Sequence, residues 1–446
     1  MNNVEMIVLV VALIIPPIVK KVAPIYKIKK NRYLAKKGNI KAQIKLGDMY
    51  LEKEYLDKNI DKGIKWLKKA ADNGDTYAQS KLGYLFLSGE KIEKNYKNAL
   101  NYLNKSVQQG DRWGQSNLGN MYLEGQGVKK DYTKALKLFK KSAEQGSLYS
   151  KEKLASMFYQ GKGVEKNYKK AAELFKDLTK QGSEYAQVNL GNLYKKGCGV
   201  ERDLQKSLVM FKKAANQGNA YAQNELGYIY VKGRGVKTDH KRALKWFRKA
   251  AEQGYEIAQY NIGVMYYFGE GVEKNNNKAL RWWEKAAKNC YKEAQFKLGL
   301  MYFDGEGTEQ DYSKALNWFH KSENQGYIPA IRMLGYVYLN GIGVKENINK
   351  AFKLFNSAAK NNDGYSQEQL GYMYETGKGV EKNYKEAVKY YKKAINQGEE
   401  FAKYDLGRLY LEGKGIEKNY DKAIELLEEA SKHGIEEAEQ KLKGLD

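Results

Sequence analysis

Apolar residues recur along most of this chain at helical spacing, and the whole pattern returns every 36 residues without insertion or deletion. A Leu-Gly pair or a near equivalent marks each return. The eleven pairs are Leu46-Gly47, Leu82-Gly83, Leu118-Gly119, Leu154-Ala155, Leu190-Gly191, Leu226-Gly227, Ile262-Gly263, Leu298-Gly299, Leu334-Gly335, Leu370-Gly371 and Leu406-Gly407. A fixed period of this length indicates a repeat architecture, in which one short structural unit is stacked many times.

Each unit predicts two amphipathic helices. In the third unit, Leu118, Met121 and Tyr122 stand at helical spacing and form one apolar face. Gly119 has no side chain, so a neighbouring helix can approach it closely. The glycines of the turn at residues 125–128 then end this first helix, because glycine adopts the left-handed backbone conformation at low cost.

The second helix of the unit begins after an N-cap at Asp131, a position that holds Asn or Asp in every unit from Asn59 to Asn419. A side-chain oxygen there satisfies a free backbone N–H and contributes about 1 kcal/mol. Its apolar face comprises Ala135, Leu138, Phe139, Ser142 and Ala143. One such helix pair cannot bury its own apolar faces, so neighbouring pairs must stack. The sequence therefore predicts an all-α solenoid of tandem helix-turn-helix repeats without a sheet.

The repeat frame divides the chain into four parts. Residues 39–434 hold eleven full units, and residues 25–38 carry the end of a partial leading repeat. Residues 435–446 begin a twelfth unit, which we interpret as a partial capping repeat. The chain is more acidic from Tyr420 onward, which fits the polar cap that repeat arrays need; an acidic docking site is the alternative.

The repeat resembles the Sel-one-like repeat, a relative of the tetratricopeptide repeat. A plain tetratricopeptide array differs, with a period of 34 and a Pro near the end of its second helix. Residues 222–254 match the pattern nearly throughout, at Ala222, Leu226, Gly227, Tyr230, Gly233, Gly235, Val236, Asp239, Arg242, Ala243, Trp246, Lys249, Ala250, Ala251 and Gly254. The resemblance implies a right-handed superhelix with a concave partner-binding surface, and adaptor roles in quality control, signalling or, in bacteria, host interaction. A secreted subgroup of the family carries paired cysteines in each repeat, and this chain departs from it.

Residues 1–24 contain an unbroken apolar stretch at residues 6–19. Fourteen residues are short for a spanning helix and suit the core of a signal peptide. No basic residue precedes the stretch, several follow it, and no Ala-x-Ala site is present. We therefore predict an uncleaved membrane anchor with the repeats on the cytoplasmic side. Export after signal cleavage is the alternative.

The formal net charge of +25 raises the question of an anionic partner. The lysines recur at the repeat period and no nucleic-acid motif accompanies them, so nucleic-acid binding is not expected. The two cysteines, Cys198 and Cys290, lie about two and a half repeats apart, too far for a disulfide.

The sequence contains no recognisable motif for catalysis, cofactor binding or metal binding. The Gly-x-Gly motifs follow a helix, whereas a dinucleotide fingerprint follows a strand. The three histidines, His240, His320 and His433, lie far apart along the repeats. We predict no catalytic, cofactor-binding or metal-binding residue, no cofactor and no small-molecule ligand.

One face of the first helices becomes apolar in the middle of the chain. Positions equivalent to 44, 48 and 51 are predicted to point away from the core side marked by Ala42 and Leu46. They are polar in several repeats, but all three are apolar in repeats seven and eight, and the last two are apolar in repeats six and nine. The candidate partner-binding residues are Tyr228, Tyr260, Val264, Tyr267, Phe296, Leu300, Phe303 and Tyr336. The alternative is that these side chains pack against adjacent helices.

The sequence thus predicts a non-enzymatic scaffold or adaptor, tethered to a membrane through residues 6–19, that binds a protein or peptide on the concave face. A secreted or periplasmic solenoid acting on cell-wall material or a host partner is the alternative.

Overall fold

The computed structural model describes residues 28–52 and 59–445, and every regular element within them is an α-helix, which confirms the all-α prediction. Repeats 1–11 are numbered here from residue 39 in units of 36 residues. Their first helices are Ile40–Glu52, Thr76–Ser88, Arg112–Glu124, Leu148–Gln160, Glu184–Lys196, Ala220–Lys232, Glu256–Phe268, Lys292–Asp304, Ile328–Asn340, Gly364–Thr376 and Glu400–Glu412. Their second helices are Ile60–Asp72, Tyr96–Gln108, Tyr132–Glu144, Tyr168–Lys180, Leu204–Asn216, His240–Glu252, Asn276–Lys288, Tyr312–Glu323, Ile348–Ala359, Tyr384–Ile395 and Tyr420–Lys432. A helix at residues 28–36 precedes repeat 1, and Glu436–Lys443 follows repeat 11.

Local sequence signals set the helix ends as predicted. The Asp131 carboxylate accepts a hydrogen bond from the Lys134 N–H at 2.9 Å. An Asn or Asp caps the second helix of each repeat in the same way. Gly125 ends the first helix of repeat 3 at a φ of 73°, in the left-handed region that favours glycine. A glycine in this conformation ends the first helix at the same point in each of repeats 2–11.

The two helices of a repeat pack closely because the Leu-Gly glycine faces a large side chain. A Cβ on Gly119 would lie 2.9 Å from the ring of Phe139, which is fully buried. The same core position of the second helix is filled in the following repeats by Phe175, Phe211, Phe247, Trp283, Phe319, Phe355 and Tyr391. These side chains and the first-helix leucines form the core of the stack.

The chain divides into two compact units, one that ends at Gln217 and one that begins at Gly218. The N-terminal unit contains repeats 1–5, and the C-terminal unit contains repeats 6–11. In each unit, buried apolar residues of successive helix pairs form the core.

Candidate partner-binding face of the first helices

An apolar row crosses the first helices of the C-terminal unit. Tyr228, Val264, Leu300 and Tyr336 occupy the same position in repeats 6–9, and Tyr372 continues the row into repeat 10. Tyr228, Tyr336 and Tyr372 are 36%, 38% and 44% exposed, and Val264 and Leu300 are half-buried. We call these five residues the apolar row. Its tyrosine rings are open to solvent and therefore available to a partner.

Tyr260 and Phe296 stand one helical turn before the row and are half-buried. The Tyr260 ring stacks on Trp283 with centroids 6.2 Å apart, and the Phe296 ring lies 5.7 Å from Phe319. Each side chain thus spans the distance between the core and the surface, and each contributes to packing whatever else it binds.

Tyr267 and Phe303 belong to the packing between helices of one repeat. The Tyr267 ring lies 5.4 Å from Trp283, and the Phe303 ring lies 5.2 Å from Tyr312 and 6.2 Å from Phe319. The expectation that positions equivalent to 51 point away from the core is therefore wrong. The reason is that the second helix of the same repeat covers this side of the first helix. Leucines at the same position are buried in other repeats, at Leu51, Leu87, Leu123, Leu339 and Leu411.

Repeats 7–9 place a tyrosine where repeats 1–6 and 10 have a side chain that caps the first helix. Tyr255, Tyr291 and Tyr327 stand at this N-cap and make no side-chain capping bond, whereas Asp75 and Asp111 cap their helices. A missing cap costs about 1 kcal/mol. These tyrosines were not predicted from sequence, although the 36-residue register identifies them as departures from the capping pattern.

The tyrosines at these N-caps enclose the inner part of the face. Tyr291 packs edge-on against Tyr260 at 5.3 Å, and Tyr327 packs edge-on against Phe296 at 5.5 Å. Burial raises the pKa of Tyr260 to about 12, with smaller contributions from the neighbouring Tyr327 and Glu293. These phenols stay protonated at neutral pH, so the face offers neutral rings and hydroxyl donors.

A second opening lies in the N-terminal unit and was also missed from sequence. A groove of about 490 Å³ runs across the first helices of repeats 2–4. Tyr77, Tyr84, Trp113 and Tyr149 line it, each 40–51% exposed. We call it the tyrosine groove. Its signal in the sequence is the aromatic residue at Tyr77 and again 36 and 72 residues later.

The polar groups beside the tyrosine groove are largely satisfied by one another. The Lys81 ammonium lies 2.8 Å from the Asp48 carboxylate and 3.2 Å from that of Glu52. Burial lowers the pKa of Lys81, but hydrogen bonds to Asp48 and Tyr77 and the charge of Asp48 outweigh it, so the pKa lies above its ordinary value. The groove therefore presents aromatic walls with little net charge.

A half-buried charge cluster lies in repeats 10 and 11. The Arg408 guanidinium contacts Glu375 at 2.9 Å and Asp405 at 3.0 Å. Burial raises the pKa of Asp405 to about 6 against the opposing effect of Arg408. Burial also raises the pKa of Glu368 to about 7, with added repulsion from Asp405 and Glu399. Asp405 and Glu368 are therefore the carboxyl groups of this cluster whose pKa values lie closest to neutrality.

Residues that could support chemistry remain scattered. Among residues 28–52 and 59–445, no group of three His, Cys, Asp or Glu side chains is arranged to hold a metal ion. Cys198 is half-buried, and Cys290 is exposed in a turn with a φ of 60°. His320 lies 2.7 Å from Glu323 and 3.2 Å from the Tyr338 hydroxyl.

Comparison with known proteins identifies the family. The Sel1 repeat matches eleven segments, at residues 40–75, 76–111, 114–147, 149–183, 184–219, 220–255, 257–289, 292–327, 328–363, 364–399 and 401–435. The chain belongs to the Sel1 repeat family. This confirms the resemblance seen in the sequence, and Sel1 repeat proteins are generally scaffolds for protein interactions and typically not catalysts.

Two solved Sel1 repeat structures are similar over most of this chain. One is c5321 of uropathogenic Escherichia coli strains, described as a protective antigen with an SLR fold, at 32% identity and a TM-score of 0.72. The alignment covers 94% of this chain and 91% of c5321. The other is a Sel1 repeat protein from Oxalobacter formigenes, at 30% identity and a TM-score of 0.58, covering 69% of this chain and 90% of that one. No curated protein matches the chain significantly.

The predicted membrane anchor at residues 6–19 lies outside the described residues. Within the described part of the chain, none of the helices has both the length and the apolar character needed to cross a bilayer.

Proposed function

We propose that this Sel1 repeat chain is a non-enzymatic scaffold that binds a protein or peptide partner on the face of its first helices. The observation that carries the proposal is the apolar row in repeats 6–10. Its tyrosines are more than a third exposed. Tyrosine is enriched at protein interfaces because it combines a large apolar ring with a hydroxyl that hydrogen-bonds.

The half-buried residues behind the row support it. Tyr260 and Phe296 are held by Trp283 and Phe319, and Tyr291 and Tyr327 give up helix caps to pack against them. Rigid rings lose little conformational entropy when a partner binds. Tyr267 and Phe303 serve the same face as packing residues below its surface.

Two double variants separate the effect on partner binding from the effect on stability. The partner is first identified by affinity capture of the full chain with crosslinking and mass spectrometry. Tyr228→Ala with Tyr336→Ala should then weaken that complex by about 2 kcal/mol or more, as for interface hot spots, and leave urea unfolding nearly unchanged. Tyr260→Ala with Phe296→Ala should lower the free energy of unfolding by about 1–3 kcal/mol for each residue, since both rings pack on the core.

The matched control removes two exposed tyrosines that lie elsewhere. Tyr33 and Tyr420 are 58% and 54% exposed and stand outside the first helices of the repeats. Their replacement by Ala should leave binding unchanged. Equal affinity of the Tyr228/Tyr336 variant and this control would refute the proposed face.

We also propose that residues 6–19 tether the chain to a membrane with the repeats on the cytoplasmic side, as the basic residues after the stretch favour. The described antigen character of c5321 favours a second candidate, an exported chain that meets a host partner or cell-wall material. A mature N-terminus near Ile25, with protease digestion of the repeats on intact cells, would support export. An intact N-terminus and protected repeats would support the tether.

A further inference from the structure

The positive charge of this protein lies on one of its two helix sets. The second helices of repeats 1–10 each carry a net charge between +1 and +4. The first helices of repeats 1–9 carry between −1 and +1. Both sets have exposed surface, so a general need for solubility does not explain why the bases collect on one of them.

Many of the bases near the start of the second helices are already neutralised. Arg242 pairs with the N-cap carboxylate of Asp239 at 3.1 Å, and Lys314 pairs with Asp311 at the same distance. Such i, i+3 pairs at a helix N-terminus serve the helix itself. A surface that attracts an anion must therefore come from the bases farther along each helix.

Repeats 6 and 7 are successive repeats whose second helices each carry three such bases. Lys245 and Lys249 in one second helix, and Arg281 and Lys285 in the next, are exposed. None of the four forms an ion pair within residues 28–52 and 59–445. We call them the basic patch. Their charges are free to act on a partner.

Indole rings lie directly beneath this patch. Trp246 and Trp282 occupy the same position of successive second helices and are half-buried. The Lys249 and Lys285 ammonium groups lie 4.5 Å and 4.4 Å from the indole centroids. Trp318 continues the series in repeat 8, with Lys321 at 4.0 Å. Indole prefers the region of lipid headgroups, where its ring is apolar and its N–H is hydrated.

We propose that the basic patch binds the surface of an anionic phospholipid bilayer. Three of the four bases are lysines, and lysine acts as a mobile point charge that suits a fluid layer of headgroups, whereas recognition of a fixed phosphate favours the bidentate guanidinium of arginine. Binding of single-stranded nucleic acid needs exposed aromatic rings on which bases stack. The indoles of this patch are instead half-buried under ammonium groups.

The experiment compares binding of the full chain to two kinds of vesicle, neutral phosphatidylcholine and phosphatidylcholine with 30 mol% phosphatidylglycerol, by flotation. The readout is the ratio of the two partition coefficients. Any contribution of residues 6–19 through apolar insertion enters both coefficients and largely cancels. We expect at least a tenfold preference for the anionic vesicles at 0.1 M salt that disappears at 0.5 M salt, because the attraction is screened.

The variant replaces all four bases of the basic patch with Gln. Each base near an anionic bilayer changes binding about fivefold, so the preference should fall at least tenfold. The matched control, Lys41→Gln with Lys45→Gln, Lys196→Gln and Lys232→Gln, removes the same charge from exposed positions of first helices. It should keep most of the preference.

Equal losses in the two variants would overturn the proposal, since only the total charge would then matter. Equal binding of the native chain to both kinds of vesicle would also overturn it. Lys249 and Lys285 can also be acylated with a chemical reagent in the presence of RNA or of vesicles. If duplex or single-stranded RNA protects them from the reagent and anionic vesicles do not, the patch binds nucleic acid instead. This experiment tests a lipid contact of the second helices only. A negative result would therefore leave the proposed partner site on the first helices unaffected.

Discussion

At the scale of single residues, Gly119 shows how one position sets the distance between two helices. A Cβ placed there would lie 2.9 Å from Phe139, closer than side-chain carbons normally approach. The residue type and its register were predictable from sequence. The partner ring was not, because contact between two helices depends on their crossing as well as on their periodicity.

Replacing Gly119 with Val should therefore destabilise the protein. Val gains slightly in helix propensity over Gly, but its methyl groups would force Phe139 out of a close-packed core. We expect the free energy of unfolding to fall by about 1–3 kcal/mol, measured by urea denaturation. Asn120→Val, at the next position of the same helix but half-exposed, should change it by less than about 0.5 kcal/mol. Equal effects would show that Gly119 does not set the packing.

Glu368 gives a residue-scale prediction about pH. Burial and the charges of Asp405 and Glu399 raise its pKa in the folded protein to about 7, from an ordinary value of 4.5. The folded state thus holds this proton more tightly than the unfolded state. The contribution of Glu368 to the free energy of unfolding should fall as pH rises from about 4.5 to 7 and then level off.

Glu368→Gln removes this group from the titration. The variant should be more stable than the native chain at pH 8, by on the order of 2 kcal/mol, and about equally stable at pH 4. Glu381→Gln removes an exposed carboxylate of the following turn and should have little effect at either pH. A Glu368→Gln variant that is less stable at pH 8 would contradict the buried, repelled state of this carboxyl group.

At the scale of elements, the helix pair was predictable and the link between pairs was not. Asp131 marks the start of one helix and Gly125 the end of another, and both could be read from sequence because capping is a local interaction. Successive pairs are joined by buried glutamines whose role no local pattern reveals. The Gln79 amide, 3% exposed, donates to the Ala71 carbonyl of the preceding repeat at 3.0 Å and accepts from Gln109 at 2.9 Å.

Repeat 9 offers a natural alternative to this glutamine pair. Ile331 and Asn361 replace the two glutamines there, and the Asn361 amide donates to the Ser357 carbonyl in the last turn of the preceding helix. Gln79→Ile alone should cost about 1–3 kcal/mol of unfolding free energy, because it removes the hydrogen bonds that Gln79 makes with the Ala71 carbonyl and with the Gln109 amide. Adding Gln109→Asn should recover part of that loss. A single variant as stable as the native chain would mean that the glutamines do not join the repeats.

At the scale of the whole molecule, the protein presents two chemically different helix sets. The first helices carry exposed tyrosines and little net charge, and the second helices carry the bases. The period in the sequence predicted the solenoid and the composition gave the charge. The separation of charge by helix was not predicted from sequence. Tyr267 and Phe303 were predicted to lie at the surface because helical spacing alone does not show which side of the first helix the second helix covers.

The most direct measurement of the central claim is site-specific photo-crosslinking of the full chain in cells of its source. A photoreactive amino acid at Tyr336 tests the first-helix face of repeat 9, and one at Asn317 tests an exposed position of a second helix in repeat 8. The scaffold proposal predicts a discrete protein adduct from Tyr336 and none of the same mass from Asn317. The same protein adduct from Asn317, with none from Tyr336, would contradict it.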